Sequence, residues 1–193
     1  LLNKNEETYY PKSRTDWRKW LVKNHQTKPS VWLLFYNKKS DKSSISWSDA
    51  VDEALCFGWI DSKKQKIDEF SYRQYYSKRK PDSTWSKINK EKLEQLIKNG
   101  LMTKSGLKSI EVAKQNGSWT ILDDIEELII PKDLQEALTS HKNALEYFES
   151  QSKSSKKMLL YWVASAKRLK TRLNRIEEIA ELASIGQKPK QFR

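Results

Sequence analysis

Residues 46–77 read SWSDAVDEALCFGWIDSKKQKIDEFSYRQYYS, and the order of patterns within them decides the fold class. Ser46 is a residue type that caps helices by accepting from an amide two or three positions on. Behind it, Trp47, Val51, Ala54, Leu55 and Gly58 recur at helical spacing and give one apolar side. Asp49 and Asp52 stand in the first turns, where carboxylates suit the helix dipole. Gly58 ends the helix. Residues 60–67 and 72–77 then read as two strands, with Asp68-Glu69 as the turn of a hairpin. A helix that hands over directly to a hairpin is an α+β pattern.

Working outward, residues 31–36 (VWLLFY) read as a buried strand, and the polar stretch 38–44 as a surface loop. Before that strand, Thr15 caps a helix with Trp17, Trp20 and Leu21 on one face, broken by Lys28-Pro29-Ser30. After the hairpin, Asn89 caps a helix running to Asn99, with Leu93, Leu96 and Ile97 inward and Gly100 as its stop. Thr103 caps the next, with Leu107, Ile110 and Ala113 inward and Gly117 as its stop. That second helix carries Lys104, Lys108 and Lys114 against Glu111. The pair therefore reads as an ordinary αα-hairpin and not as a DNA-reading helix-turn-helix. Asp123, Asp124, Glu126 and Glu127 mark an acidic connector. Pro131 opens a helical run of four pieces, about 132–140, 143–150, 153–168 and 171–185, the last with Leu173, Ile176, Ala180 and Ala183 on one face. Lys188-Pro189-Lys190 reads as a loose tail. The expected class is α+β: a small, mostly antiparallel sheet with packed helices over 1–120, a connector at 121–130, and a helical C-terminal unit over 131–193.

Charge bounds the partners. Lys and Arg number 37 against 25 Asp and Glu, a formal +12 in 193 residues. That field favours an anionic partner, whether nucleic acid, an anionic membrane surface or an acidic protein; the competing reading is a lysine-rich solvated surface. Eight Trp and eight Tyr supply a packed core and exclude wholesale disorder. Cys56 is the single cysteine, so no intrachain disulfide forms. It lies in an apolar helical pattern and reads as core. No apolar run is long enough to span a bilayer, and Leu1-Leu2-Asn3-Lys4 shows no signal-peptide core. These features set the expectation of a cytoplasmic protein.

The chemistry-bearing motifs are sparse. His25 and His141 are far apart, no Cys/His cluster has metal-ligand spacing, and five glycines form no phosphate loop, nucleophile elbow or dinucleotide fingerprint. No catalytic residue, metal or cofactor is assigned. The expectation leans to a protein without enzymatic activity, with a small-molecule enzyme as the alternative, since carboxylate or lysine chemistry needs no motif.

Two constellations stand out. The first joins Gly58-Trp59-Ile60-Asp61-Ser62, residues 72–80 (YRQYYSKRK), and Trp85-Ser86-Lys87-Ile88-Asn89. Strand alternation sets Tyr72, Gln74 and Tyr76 on one face and Arg73, Tyr75 and Ser77 on the other. Rings that stack beside cations that hold phosphates make Trp59, Asp61, Arg73, Tyr75, Arg79, Trp85, Lys87 and Asn89 a candidate ligand or partner surface. Asp61, just after the helix stop, is placed to orient Arg73 or to accept a ligand proton. The competing reading is that the rings are core and Asp61 serves a structural ion pair. The second constellation is 153–175, which holds eight cations and no acid beside Met158, Leu159, Trp162, Val163 and Ala166. It reads as a basic amphipathic helix and turn, with Lys167, Arg168, Arg172 and Arg175 as the anion-contacting groups. Its alternative is a helix packed on its own unit with cations toward water.

Four stretches resemble the YdeI/OmpD-associated, or bacteriocin-protection (OmdA), family. They are Trp17-Arg18-Lys19-Trp20-Leu21 through Asn24-His25 with Val31-Trp32-Leu33; residues 50–62 (AVDEALCFGWIDS); residues 85–90 (WSKINK) with Leu93 and Gly100-Leu101-Met102-Thr103; and residues 162–176 (WVASAKRLKTRLNRI). Tyr76-Ser77-Lys78-Arg79 departs from the family's usual Phe-Thr-Pro-Arg, and Leu169-Lys170 from its usual Pro-Glu. The resemblance implies protection against bacteriocins or cationic antimicrobial peptides and association with an outer-membrane porin. It implies no reaction. The combined expectation is a stress-response binding protein for an anionic or aromatic ligand, with nucleic-acid binding as a rival.

Overall fold

The computed structural model describes residues 7–193; Leu1-Leu2-Asn3-Lys4, read for an export signal, lie outside them. The chain divides between Trp119 and Thr120 into two compact units.

The first unit contains, in order, β1 (Thr8–Tyr9), α1 (Arg14–Asn24), β2 (Ser30–Tyr36), α2 (Trp47–Cys56), β3 (Trp59–Lys66), β4 (Ser71–Lys78), α3 (Lys87–Lys98) and α4 (Lys104–Gln115). The sheet order is β1-β2-β4-β3. β4 runs antiparallel to both neighbours, while the two-residue β1 lies parallel to β2. The α+β class with a small, mostly antiparallel sheet is therefore what the chain adopts. β1 itself was not foreseen, because two residues leave no periodic signal.

The register makes one sheet face the core. Val31 pairs with Tyr76, Leu33 with Gln74 and Phe35 with Tyr72. Against them pack Trp17 and Leu21 of α1, Val51, Ala54 and Leu55 of α2, Trp85, Leu93 of α3 and Ile110 of α4. Residues of opposite parity, including Trp32, Arg73 and Tyr75, occupy the other face. Ser46 and Thr103 cap α2 and α4 as expected. For α1 and α3 the caps are Ser13 and Ser86, not Thr15 and Asn89. In each case the earlier residue holds extended backbone and accepts the amide three positions on, which leaves Thr15 and Asn89 inside the first turn. Trp47, Ile97 and Leu107, expected inward, are largely exposed. A helix that packs on one side buries only a stripe, and these residues flank it.

Gly106 sits where α4 crosses the end of α2. A Cβ there would lie 2.3 Å from the Cys56 carbonyl oxygen. The same oxygen accepts from the Thr103 amide (3.0 Å) and hydroxyl (2.7 Å), so the start of α4 is pinned to the end of α2.

The second unit contains α5 (Ile121–Glu126), α6 (Lys132–Ser140), α7 (Ala144–Ser150), α8 (Lys153–Ala164) and α9 (Leu169–Ser184). Leu134, Leu138, Phe148, Leu160, Val163, Ile176 and Ala180 form its core. Pro131 precedes α6 as its N-cap residue instead of occupying the first helical position. α8 ends four residues before the expected 168. Met158 and Leu173 face outward. The tail is not loose: Phe192 meets Trp162 edge-on at 5.5 Å.

Candidate functional site

The hairpin of β3 and β4 scatters the first predicted constellation over both faces of the sheet. Asp61 pairs with Tyr76 and so lies on the core face. Its carboxylate accepts from Trp47 Nε1 and Gln74 Nε2, each at 2.9 Å. Arg73, which Asp61 was expected to orient, is on the opposite face and donates from Nε to Gln65 Oε1 at 2.7 Å. A carboxylate cannot reach through a sheet, and one residue of parity separates the two. The Arg73 guanidinium lies 4.1 Å over the Trp32 ring, which Tyr75 meets edge-on at 5.1 Å.

Trp59 and Trp85, expected as exposed stacking rings, are each 1% exposed and belong to the core. Trp85 carries the Arg79 guanidinium 3.5 Å above its ring and leans on Trp119. Arg79 donates from Nη2 to the Thr84 carbonyl, while its buried Nε and Nη1 have no hydrogen-bond partner among the described residues. The buried Tyr76 hydroxyl likewise has none. Burial pushes the Arg79 pKa down to about 10, opposed by the charge of Asp61. Burial, with the same carboxylate acting in the same sense, pushes the Tyr76 phenol well above its usual range. Lys87 is exposed and Asn89 half-buried on the first turn of α3.

Where β3 begins and β4 ends, a cleft of about 500 Å³ opens beside α4 and the end of α1. Phe57, Trp59, Pro81 and Val112 contribute apolar wall. The ionisable side chains lining it are His25, Lys78, Arg79, Lys80 and Lys108, with no described carboxylate. Lys78 Nζ donates to the Gln26 carbonyl at 2.6 Å. His25 Nδ1 lies 2.8 Å from the Leu21 carbonyl oxygen, and its Nε2 lies 3.2 Å from Ser105 Oγ. Of the predicted residues, the cleft gathers Trp59 and Arg79. Sequence reading missed His25, Ser105 and Lys108 as site residues, because they come from three separated elements and no local spacing joins them.

A second cleft, of about 400 Å³, lies between α1 and α2 and is lined by Arg14, Arg18, Val22 and Glu53. Glu53 is 2% exposed and is held by Arg14 Nε (2.6 Å) and Arg18 Nη1 (2.7 Å). Nearby Cys56 is buried, and burial pushes its thiol up to about 11, the behaviour of a core cysteine.

In the second unit, the predicted anion contacts Arg172 and Arg175 are engaged internally. Arg172 forms a two-pronged pair with Asp133, at 2.7 and 2.9 Å. Arg175 donates to the Trp162 carbonyl at 2.5 Å and lies over that indole. Lys167 and Arg168 are exposed in the turn between α8 and α9. Among the described residues, no group of three or more His, Cys, Asp or Glu is placed to hold a metal ion. No described helix is long and apolar enough to cross a membrane.

Residues 127–186 match the family described as Bacteriocin-protection, YdeI or OmpD-Associated (OmdA), and residues 9–109 match a family described as a domain of unknown function (DUF8412). No curated protein and no solved structure matches the chain. Of the four stretches that carried the resemblance to the OmdA family, residues 162–176 fall inside the OmdA match; the other three fall inside the match at 9–109. With more than half of its residues covered by the match at 9–109, the chain belongs to the family of the DUF8412 domain.

Proposed function

We propose that the first unit is a binding domain for a small anionic ligand, held in the cleft between the β3–β4 hairpin and α4. One observation carries this reading: a concavity of ligand size whose ionisable lining is wholly basic. Cations crowded around a low-dielectric concavity repel one another, and an anion relieves that repulsion. Lys80 and Lys108 are exposed at the cleft and supply long-range attraction. The apolar wall formed by Phe57, Pro81 and Val112 suits a ligand with a hydrocarbon or ring body behind its charged group.

The OmdA match at 127–186 supports a protective role of the kind that family's description names. A chain of +12 repels cationic peptides, so direct capture of such peptides is a poor mechanism here. Protection through an anionic compound fits the charge. Calorimetric titration with inorganic phosphate, citrate and a short single-stranded oligonucleotide, at low and moderate salt, tests the reading. Citrate is expected to bind, and the double change Lys80→Glu with Lys108→Glu to weaken it at least about tenfold, or roughly 1.4 kcal/mol. Equal affinity in the double variant, or binding of the oligonucleotide alone with a steep salt slope, overturns it in favour of a different surface.

A further inference from the structure

We propose that Ser105 and His25 form a nucleophile–base pair in this cleft, which makes the first unit an esterase for acyl esters that carry an anionic group. The substrate class rests on the cleft reading above; the pair rests on its own geometry.

His25 follows α1 as its C-cap residue, and its ring is fixed from several sides. The Leu21 carbonyl oxygen lies 2.8 Å from Nδ1. A carbonyl can only accept, so Nδ1 carries the proton of the neutral ring and Nε2 presents a lone pair. Phe57 meets the imidazole edge-on at 5.0 Å, and Trp59 Nε1 donates to the His25 carbonyl. The lone pair faces Ser105 Oγ at 3.2 Å, so the hydroxyl donates to Nε2. A hydroxyl aimed at an imidazole whose far nitrogen is held by an acceptor is the arrangement that activates a serine.

Ser105 differs from several serines in or beside the helices. Ser109, Ser150, Ser165 and Ser184 each donate to the carbonyl three residues back, the usual use of a serine hydroxyl in or beside a helix. The hydroxyl of Ser105 turns instead toward a residue 80 positions away in sequence. Its backbone is rigid, because Thr103 and Gly106 fasten the start of α4 to Cys56. Both members of the pair line the cleft and are half-buried, so a substrate can reach them.

In the proposed step, Ser105 Oγ adds to the acyl carbon as its proton passes to His25 Nε2. The intermediate collapses, the bond from carbon to the alcohol oxygen breaks, and that oxygen takes the proton from Nε2. Water then adds to the acyl-serine, again giving a proton to Nε2, and Ser105 Oγ leaves and recovers it. The sum is ester plus water to acid plus alcohol. The Leu21 carbonyl is a positioning group that holds the ring in its productive tautomer. Lys80 and Lys108 hold the anionic part of the substrate.

A fluorophosphonate probe tests the pair on the full chain. Attack by Ser105 forms an O–P bond, releases fluoride and passes the hydroxyl proton to His25. Peptide mass spectrometry is expected to place the label on Ser105. Ser105→Ala, at a half-buried helix position that tolerates alanine, is expected to abolish labelling. His25→Gln, which keeps a donor for Leu21, is expected to slow it at least about 100-fold with an unchanged circular dichroism spectrum. A folded protein that takes no label, or a label that persists in Ser105→Ala, overturns the proposal. Citrate titration on the same samples separates the two readings: binding without labelling removes the pair alone, and labelling without citrate binding keeps the pair and removes the anionic-ligand reading.

Discussion

Glu53 and Arg79 show how differently a single buried charge can be housed. Glu53 has two arginines at hydrogen-bond distance, so its carboxylate is compensated on both oxygens. Glu53→Ala leaves Arg14 and Arg18 without that partner and opens space beneath α1; a loss of about 2 kcal/mol is expected, held down by the partial exposure of both arginines. A urea melt with an unchanged midpoint would show the cluster to be energetically idle. Arg79 donates to the Thr84 carbonyl and has a ring beneath it, while two of its nitrogens are buried with no partner among the described residues. Arg79→Met keeps the stem on Trp85 and removes the desolvated charge. Its midpoint is expected to equal or exceed that of the parent, at the cost of anion affinity in the cleft. A fall of more than about 2 kcal/mol would instead mean that the stacked guanidinium is a main prop of the fold. Neither outcome was legible in the sequence. Arg79 was read as a surface cation, and Glu53 was one polar position on a helix whose burial depends on where α1 lies.

At the scale of elements, two contacts set the positions of helices. Gly106 allows α4 to touch the Cys56 carbonyl, and Gly106→Ala forces a 2.3 Å contact with backbone that cannot move aside cheaply. A loss of about 2–3 kcal/mol is expected, with a displaced Ser105 and therefore weaker probe labelling. A variant with parental stability would mean that α4 slides freely on α2. In the second unit, the Arg172 pair ties α9 to α6. The Arg172 hydrogen bond holds the Asp133 carboxyl below its ordinary range. A depressed carboxylate contributes stability above its unfolded pKa of about 3.9, and loses that contribution as pH falls through the lower folded value. Asp133→Asn is therefore expected to be less stable than the parent at pH 7 and to converge with it in strong acid, below both the unfolded and the lowered folded pKa. Parallel curves for the two proteins from pH 7 to pH 2 would remove the pair from the account. Helix periodicity announced α2, α4, α6 and α9 well. The caps of α1 and α3 were misplaced, because two capping residue types stood within three positions of each other and only the backbone conformation chose between them.

For the whole molecule, the aromatic residues are distributed unevenly between the two cores. Seven of the eight tryptophans precede Thr120, and Trp162 is the eighth. Tryptophan fluorescence thus reports mainly the first unit, whereas far-ultraviolet circular dichroism reports helices in both. Two separate cores with different compositions are expected to melt with different midpoints, so the two signals should not superimpose in urea. Superimposed transitions would show that the units unfold as one cooperative body. The positive charge adds a second whole-molecule effect: ligand capture by the cleft should slow as salt rises, since a net +12 draws anions over distances that ions screen.

The order of helix, hairpin and later helices, the α+β class and the membership of the inner strand face follow from local periodicity, which depends only on neighbours along the chain. The site does not. His25, Trp59, Arg79 and Ser105 come together because the register of β3 on β4 and the seat of α4 on Cys56 bring distant segments to one place. Strand parity sent Asp61 and Arg73 to opposite faces although residue type had paired them. Composition announced a basic protein; only packing decided which cations line a cleft, which are tied to carboxylates, and which indoles are closed to water.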